Sequence, residues 1–424
     1  MTLSVSRNVI IAIVAVLVVG MGVFAFSRGW IPPVPVPPTE TPSPTLSAQN
    51  GIFNVPKGFS VEMVIKGLNK PRVIAFDPNG RMLVSEMGAG NVVVIESGRK
   101  RTVIGGLNSP HGLAFYTDPK TKKTFLYVAE TNRVTRYEYD VARGTVLSKT
   151  PQIIASLPSG GKHFTRTIAF GPNFRKTPVL EGYLEREQLV KERVYIGVGS
   201  SCDACVEDTW KRAAILESDP EGTFTAEFAG GLRNSVFFAF HPVTGQLWAT
   251  EMGRDELGDD LPPDEINIVR AAEKDTPFGA RRYGWPFCYG KQVRDTKFNP
   301  EKVDRIDISS DCTQTQSSHI EIPAHSAPLG LAFIPSAGGW PREWRNDLLV
   351  AYHGSWNRSE KTGYKIVRYN LDDQGRMLGV EDFMTGFLEN NRVNGRPVDL
   401  KFDNTGTLYV TDDFAGVIYR ITLK

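Results

Sequence analysis

The sequence predicts an all-β protein, a six-bladed β-propeller, preceded by an N-terminal hydrophobic helix and a Pro-rich stalk. Three observations lead there. Six apolar strands end in Ala-Phe or a close variant, at Ala75-Phe76, Ala114-Phe115, Ala169-Phe170, Ala239-Phe240, Ala332-Phe333 and Lys401-Phe402. Each is followed by a second strand reading like LYV: Met82–Ser85, Leu126–Ala129, Val194–Val198, Leu247–Thr250, Leu348–Ala351 and Leu408–Thr411. Turn chemistry joins several pairs, as in Asp77-Pro-Asn-Gly80, Pro242-Val-Thr-Gly245 and Asp403-Asn-Thr-Gly406. A β-rich unit recurring with no helical period between its copies points to radial repetition. Intervals run from 39 residues (Phe76 to Phe115) to 93 (Phe240 to Phe333), so insertions hang on a constant core.

Length alone would suggest two or three domains, but a propeller keeps hundreds of residues in one closed domain. The 40 Gly and 28 Pro fit many tight turns. A net charge of +2, with acids and bases nearly balanced, gives no electrostatic case for nucleic acid. Four cysteines stand at 202, 205, 288 and 312. An even count in an exported chain favours two disulfides, and Cys202/Cys205 with Cys288/Cys312 is the preferred of three pairings. A zinc site built on the one CxxC would need further soft ligands, and none stands nearby at zinc-like spacing.

Val9 to Phe26 is an uncharged run of 18 residues behind Arg7, suited to a signal anchor or a long signal peptide over residues 1–28. Its length and Phe24 favour retention over cleavage, so a membrane tether and an extracytoplasmic domain are expected. Residues 29–50 form a Pro-rich linker with no core-forming capacity. The propeller then spans 51–424.

In a propeller blade the loop entering the innermost strand and the loop leaving the next one share a face, where a binding site would collect. Entering loops carry Arg72, His111, His163 with Arg166, Arg233 with Asn234, His325, and Arg396. Leaving loops carry Glu86, Glu130, Ser200-Ser201-Cys202, Glu251 through Asp255, His353 through Arg358, and Asp412-Asp413. Four of the six His fall in these loops. Arg72 and Glu86 read as a blade-to-blade polar contact, and Glu130 with Asp412-Asp413 as partners of turn backbone. Arg233, Arg358 and Arg396 converging on one mouth call for an anionic partner, and guanidinium forks suit a carboxylate-bearing ligand. In the fourth repeat EMGRDELGDDLPPDEINIV is either a solvated acidic loop or a hard-oxygen calcium site made of turn carbonyls near Gly253 plus one carboxylate.

The segments LPSGGKHFTRTIAFGP, VYIGVGSSCDAC, GGLRNSVFFAFHP, GRDELGDDLPPDEIN, YGWPFCYG, HSAPLGLAF, HGSWNR, GRPVDLKF and DDFAGVIYRI resemble the sorbosone dehydrogenase family. That family is related to the soluble quinoprotein glucose dehydrogenases, and the likeness covers residues 51–424. It implies a six-bladed propeller binding pyrroloquinoline quinone and calcium. His163 falls at the position of the general base, and Arg233-Asn234 matches the pair that contacts the quinone. Gly253 and Arg254 match calcium-ligating carbonyls, while Asp264 and Tyr283 match further calcium-linked residues. Arg358 and Arg396 lie near late cofactor-binding cations. Asn394 replaces the second member of a late Arg pair, and Pro323 stands where the relatives have an aromatic wall, leaving Trp356 as its stand-in. His111 and His325 complete the expected cofactor surroundings.

On this reading neutral His163 takes a proton from a sugar hydroxyl while hydride leaves for the quinone. The resemblance implies a small sugar substrate and an external electron acceptor, a quinone or cytochrome. Two other classes compete. One is a calcium-dependent lactonase, whose carboxylate and Asn ligands contrast with this chain's arginines. The other is a non-catalytic tethered sensor or carbohydrate-binding propeller.

Overall fold

A computed structural model describes residues 47–50, 52–174, 192–271, 281–300 and 311–423. The hydrophobic run Val9–Phe26 and stalk residues 29–46 lie outside these. Six of the sheets are the blades that the repeats predict, antiparallel except where Arg281–Arg282 joins Thr225–Gly230 in parallel. The innermost strands are Pro71–Phe76, Leu113–Thr117, Arg166–Gly171, Phe238–Phe240, Pro328–Phe333 and Pro397–Phe402, in blades 1 to 6. Neighbouring innermost strands touch all the way round, so the ring is closed. Only two 3-10 turns, Cys312–Gln314 and Arg342–Trp344, interrupt the β structure among the described residues. No described helix is long and apolar enough to cross a membrane.

The ring closes with a strand from the other end of the chain. Phe59–Lys66 pairs antiparallel with Val417–Leu423, from Phe59 opposite Leu423 to Lys66 opposite Val417. It becomes the outer strand of blade 6, whose three inner strands come from the C-terminal segment. Ser47–Asn50, read from sequence as the end of the linker, instead forms a two-stranded ladder with Phe53–Val55. The predicted turns form as their residues require. Gly80, Gly245 and Gly406 all sit at positive φ, and each donates its amide back across the turn to the carbonyl of Asp77, His241 and Asp403 respectively.

The Ala-Phe and LYV elements are the two halves of an inter-blade aromatic lock. Phe170 of blade 3 packs on Tyr127 of blade 2 at 4.8 Å. Phe240 packs on Tyr195 at 5.8 Å, Phe333 on Trp248 at 5.5 Å, and Phe76 on Tyr409 at 5.5 Å. In each case the partner is the central residue of the preceding blade's LYV strand. Where that residue is aliphatic the pattern shifts. Leu83 in blade 1 leaves Phe115 to pack on Tyr139 of its own blade, and Leu349 in blade 5 is replaced by Trp340, which meets Phe402 at 5.3 Å. Such contacts contribute about 1 kcal/mol each beyond the area they bury.

Small and hydroxyl side chains complete the seams near the axis. Ser85, Thr250 and Thr411 donate to backbone carbonyls of the next blade, at His111 (2.7 Å), Leu329 (2.8 Å) and Arg72 (2.7 Å). At the equivalent place in blade 3, Gly197 lies so close to the next blade that a Cβ would stand 2.8 Å from the Ser235 carbonyl. Gly330 is tighter, with a virtual Cβ 2.4 Å from the Val398 carbonyl oxygen. Gly330→Ala is therefore expected to lower unfolding free energy by about 3 kcal/mol, the upper range for overpacking a core. Denaturant melts would show this as a lower midpoint at unchanged slope. An unaltered midpoint would mean that the seam between blades 5 and 6 spreads freely.

Candidate active site

A cavity of ≈ 400 Å³ opens on the predicted face, lined by residues of blades 3, 4 and 5 rather than centred on the axis. His163, Arg233, Gly253, Asp264, His325 and Trp356 line it, together with Lys162, Met252, Asp255, Ala327 and Ser355. The chemistry therefore gathers on one side of the ring.

The loop leading to His163 depends on its glycines. Gly160 and Gly161 have φ of 75° and 83°, and a Cβ on Gly161 would meet the Ser201 Cα at 2.7 Å. Their absence of side chain lets Lys162 and His163 donate their amides to the carbonyls of Ser201 (2.8 Å) and Ser200 (3.3 Å). Gly199 keeps the other side open, since a Cβ there would strike both His163 and Asn234. His163 Nδ1 lies 2.8 Å from Ser200 Oγ, and that hydroxyl donates its own hydrogen to the Cys202 carbonyl at 2.7 Å. The serine oxygen is thus left to accept, so Nδ1 carries the proton and Nε2 is the basic nitrogen. Burial, reinforced by Arg233, pushes the imidazole down to about 3.

Arg233 is buried and fully engaged. It donates to the Asp203 carbonyl (3.0 Å), Asp203 Oδ1 (2.7 Å), Asp255 Oδ2 (3.2 Å) and the Met252 carbonyl (3.3 Å). Asn234 beside it offers its amide nitrogen to Met252 Sδ at 3.3 Å, and its backbone amide to Glu251 at 2.8 Å. Asp264 receives two backbone amides, from Gly253 and Ala327, both at 2.8 Å. Burial nevertheless raises its carboxyl to about 7. His325 and Ala327 both occupy the left-handed region, at φ of 63° and 54°, where non-glycine residues are held only by their surroundings. His325 Nε2 lies 2.8 Å from the Gly258 carbonyl. Trp356, 74% exposed, stands at the cavity lip.

The remaining sequence candidates lie outside that lining. His111 is fully buried, with Nδ1 3.1 Å from Thr167 Oγ1 and its ring against Phe237. Tyr283 is buried against the outer part of blade 4, donating its hydroxyl to the Ile268 carbonyl at 2.8 Å. Arg254 reaches Asp295 at 3.0 Å. Arg358 pairs with Asp260 at 3.1 Å, and Arg396 donates to the carbonyls of His353 (3.0 Å) and Gly354 (2.7 Å). These partners correct one expectation. Arg233 and Arg358 do not require an external anion for charge balance, because carboxylates of the fold already meet them, while Arg396 directs its guanidinium to neutral carbonyls. Arg72 does bridge blades, to Asp413 of blade 6, but Glu86 turns back on its own blade, to the Asn69 amide (2.8 Å) and Lys100 (2.7 Å).

Ser200, Asp203 and Asp255 were not singled out as site residues in the sequence. Ser200 stands two residues before the CxxC motif and Asp203 lies within it, so the cysteine spacing was the available signal. Both predicted disulfides form, Cys202–Cys205 and Cys288–Cys312.

The family model described as TrAA12-like matches residues 53–424. The chain belongs to the TrAA12-like family. The chain is 23% identical over 404 residues to a pyrroloquinoline quinone-dependent sugar dehydrogenase of Hypocrea jecorina, covering 85% of this chain and 87% of the relative. Its fold matches the calcium structure of a Trichoderma reesei carbohydrate-active enzyme of family AA12 with a TM-score of 0.67 at 21% identity, covering 90% and 98% of the two chains. The holo form of the pyranose dehydrogenase quinone domain from Coprinopsis cinerea gives 0.66 at 21% identity, covering 91% and 99%. The TrAA12-like match spans all six blades and every candidate residue described above.

The depressed value of His163 yields a direct expectation. An unfolded histidine titrates near ~6.5, so the folded chain loses stability from this group as pH falls from there toward about 3. In the native protein the imidazole stays neutral from pH 8 to 5. Its Cε1 proton should show no titration step across that range by NMR. A midpoint near the ordinary value would contradict the half-buried, Ser200-oriented geometry.

Proposed function

We propose that this chain is a quinoprotein sugar dehydrogenase that uses pyrroloquinoline quinone and calcium. The observation that carries the reading is a neutral His163 with Nδ1 tied to Ser200, lining the same cavity as Arg233, Gly253 and Asp264. The cavity fits the group. Its volume falls in the range of ligand pockets, ~300–1,000 Å³. Lys162 on its wall offers an ammonium to a carboxylate-rich cofactor, while Arg233 keeps Asp203 and Asp255 as its partners. Asp264 and the carbonyls of the Gly253-Arg254 turn would supply hard oxygen donors, the ligand type calcium prefers.

Bound there, the quinone would accept the hydride from the substrate carbon. His163 Nε2 takes the proton released from the substrate hydroxyl, so proton and hydride leave to separate acceptors. Ser200 holds the ring in the tautomer that can do this. Arg233 and Asn234 would fix the cofactor, Asp264 and the turn carbonyls would hold the metal, and Trp356 offers an exposed aromatic face beside the opening. Arg358 and Arg396 would act from the edge of this arrangement, each through the loop it braces. Sorbosone-like or glucose-like sugars are the substrate class, and a quinone or cytochrome takes the electrons onward.

The lactonase reading is less well supported. Among the described residues, the one group of three His, Cys, Asp or Glu side chains close enough to share a metal is Cys202, Cys205 and Glu207, and both sulfurs are in a disulfide. No cage of several carboxylates surrounds Asp264 there. The two disulfides favour an extracytoplasmic site of action, tethered through Val9–Phe26.

The test is reconstitution of the full chain with quinone and calcium, followed by dye reduction with aldoses. Wild type should acquire the cofactor's absorption band and turn over. His163→Gln should lose at least about a thousandfold in kcat, within the span of general-base contributions, while quinone affinity changes less than about threefold. Undiminished turnover in that variant would remove His163 from the mechanism. Lactone hydrolysis without quinone would replace the dehydrogenase reading altogether.

A further inference from the structure

The loop closed by the Cys202–Cys205 disulfide holds three separate parts of the cavity wall. Its Cys202 carbonyl accepts the Ser200 hydroxyl that orients His163. Its Asp203 carbonyl accepts from Arg233 Nε at 3.0 Å and from the Trp285 indole at 3.1 Å. The Asp203 carboxylate accepts from Arg233 Nη2 at 2.7 Å and from the Asp255 backbone amide at 2.8 Å, and lies 3.4 Å from Arg254 Nε. One side chain thereby ties blade 3 to the Gly253–Asp255 turn of blade 4. The loop itself is anchored from behind, where Glu207 accepts the Ser201 amide (2.5 Å) and hydroxyl (2.8 Å).

We propose that Asp203 is a positioning residue, and that the disulfide-closed loop is a clamp that sets Arg233 and the Gly253–Asp255 turn in register with His163. A disulfide four residues wide denies the loop the freedom that a surface segment of its length would have. Asp203 then offers fixed acceptors to two partners, a long arginine and a turn, at charge-assisted hydrogen-bond distance. Without it Arg233 would keep Asp255 as its remaining carboxylate and swing toward it. The turn would lose the bond that sets its Asp255 end. The role in quinone binding rests on the reading given above, while the clamp does not.

The experiment uses the full chain and two readouts. The first is amide hydrogen exchange without any cofactor. Asp203→Ala should speed exchange at Asp255 at least tenfold and leave the strands Arg193–Val198 and Leu247–Glu251 unchanged. Asp203→Asn keeps an acceptor oxygen and should restore protection at Asp255. The second readout is quinone affinity followed by quenching of tryptophan fluorescence. Asp203→Ala should weaken binding about 30-fold, the loss of one charge-assisted hydrogen bond, and Asp203→Asn should recover most of it. The double variant Cys202→Ser/Cys205→Ser should reproduce the Asp255 exchange effect in part. Unchanged exchange at Asp255 in Asp203→Ala overturns the clamp. So does a rise spread equally over all blades, which marks general destabilisation. A wild-type protein that binds no quinone, yet shows the Asp203-dependent protection, supports the clamp and rejects the quinone reading.

Discussion

Contact between neighbouring blades is the constraint on which the structure depends. Each blade is a small twisted sheet that cannot bury its own faces, and the aromatic lock supplies the missing layer. Phe from one innermost strand meets Tyr or Trp from the strand behind it. That arrangement explains why two short patterns recur together along the chain. It also explains why the residues nearest the axis are small or hydroxylated, since the next blade's backbone lies within hydrogen-bond distance of them. Because each innermost strand packs on its neighbours all the way round the ring, every blade presents its entering and leaving loops on one face.

On that face the buried charges fall into two kinds. Some serve the frame. Glu86, Glu130, Glu251 and Asp412 cap the backbone amides of Asn69, Asn108, Asn234 and Arg396, four copies of one device in blades 1, 2, 4 and 6. Others depart from the repeat and cluster between blades 3 and 4, as Asp203, Arg233, Asp255 and Asp264 do. The first kind recurs and satisfies turns; the second occurs once, with Arg233, Asp255 and Asp264 lining a cavity and Asp203 behind them. Removing one partner from the second kind would leave a buried charge whose cost the rest of the cluster must absorb.

The fold was legible because its periodicity is local: strand patterning and turn residues repeat within each unit. The role of Phe59–Lys66 was not, since a strand that joins blade 6 from the far end of the chain leaves no trace in the spacing of repeats. In the site, His163, Arg233, Gly253 and Asp264 were readable from loop position and from the family resemblance. What escaped was pairing. Nothing in the sequence says that Arg358 meets Asp260 or that Arg396 turns to the His353 carbonyl, because such choices are made in three dimensions. His111 illustrates the same limit: it shares a loop position with His163, yet the closer approach of Thr167 and Phe237 buries it.

The pairing of Phe59–Lys66 with Val417–Leu423 also bears on how the molecule comes into being. During synthesis blades 1 to 5 can emerge and stack in order, but the sixth lacks its inner strands until the last residues of that span have been made. Until then the nascent ring is an open arc, with unpaired strand edges and an uncovered apolar wall at each end. Contacts of such long sequence separation are slow to form and expose the chain to association meanwhile. Closure is thus a late event, made where Phe59–Lys66 meets the C-terminal strand of blade 6.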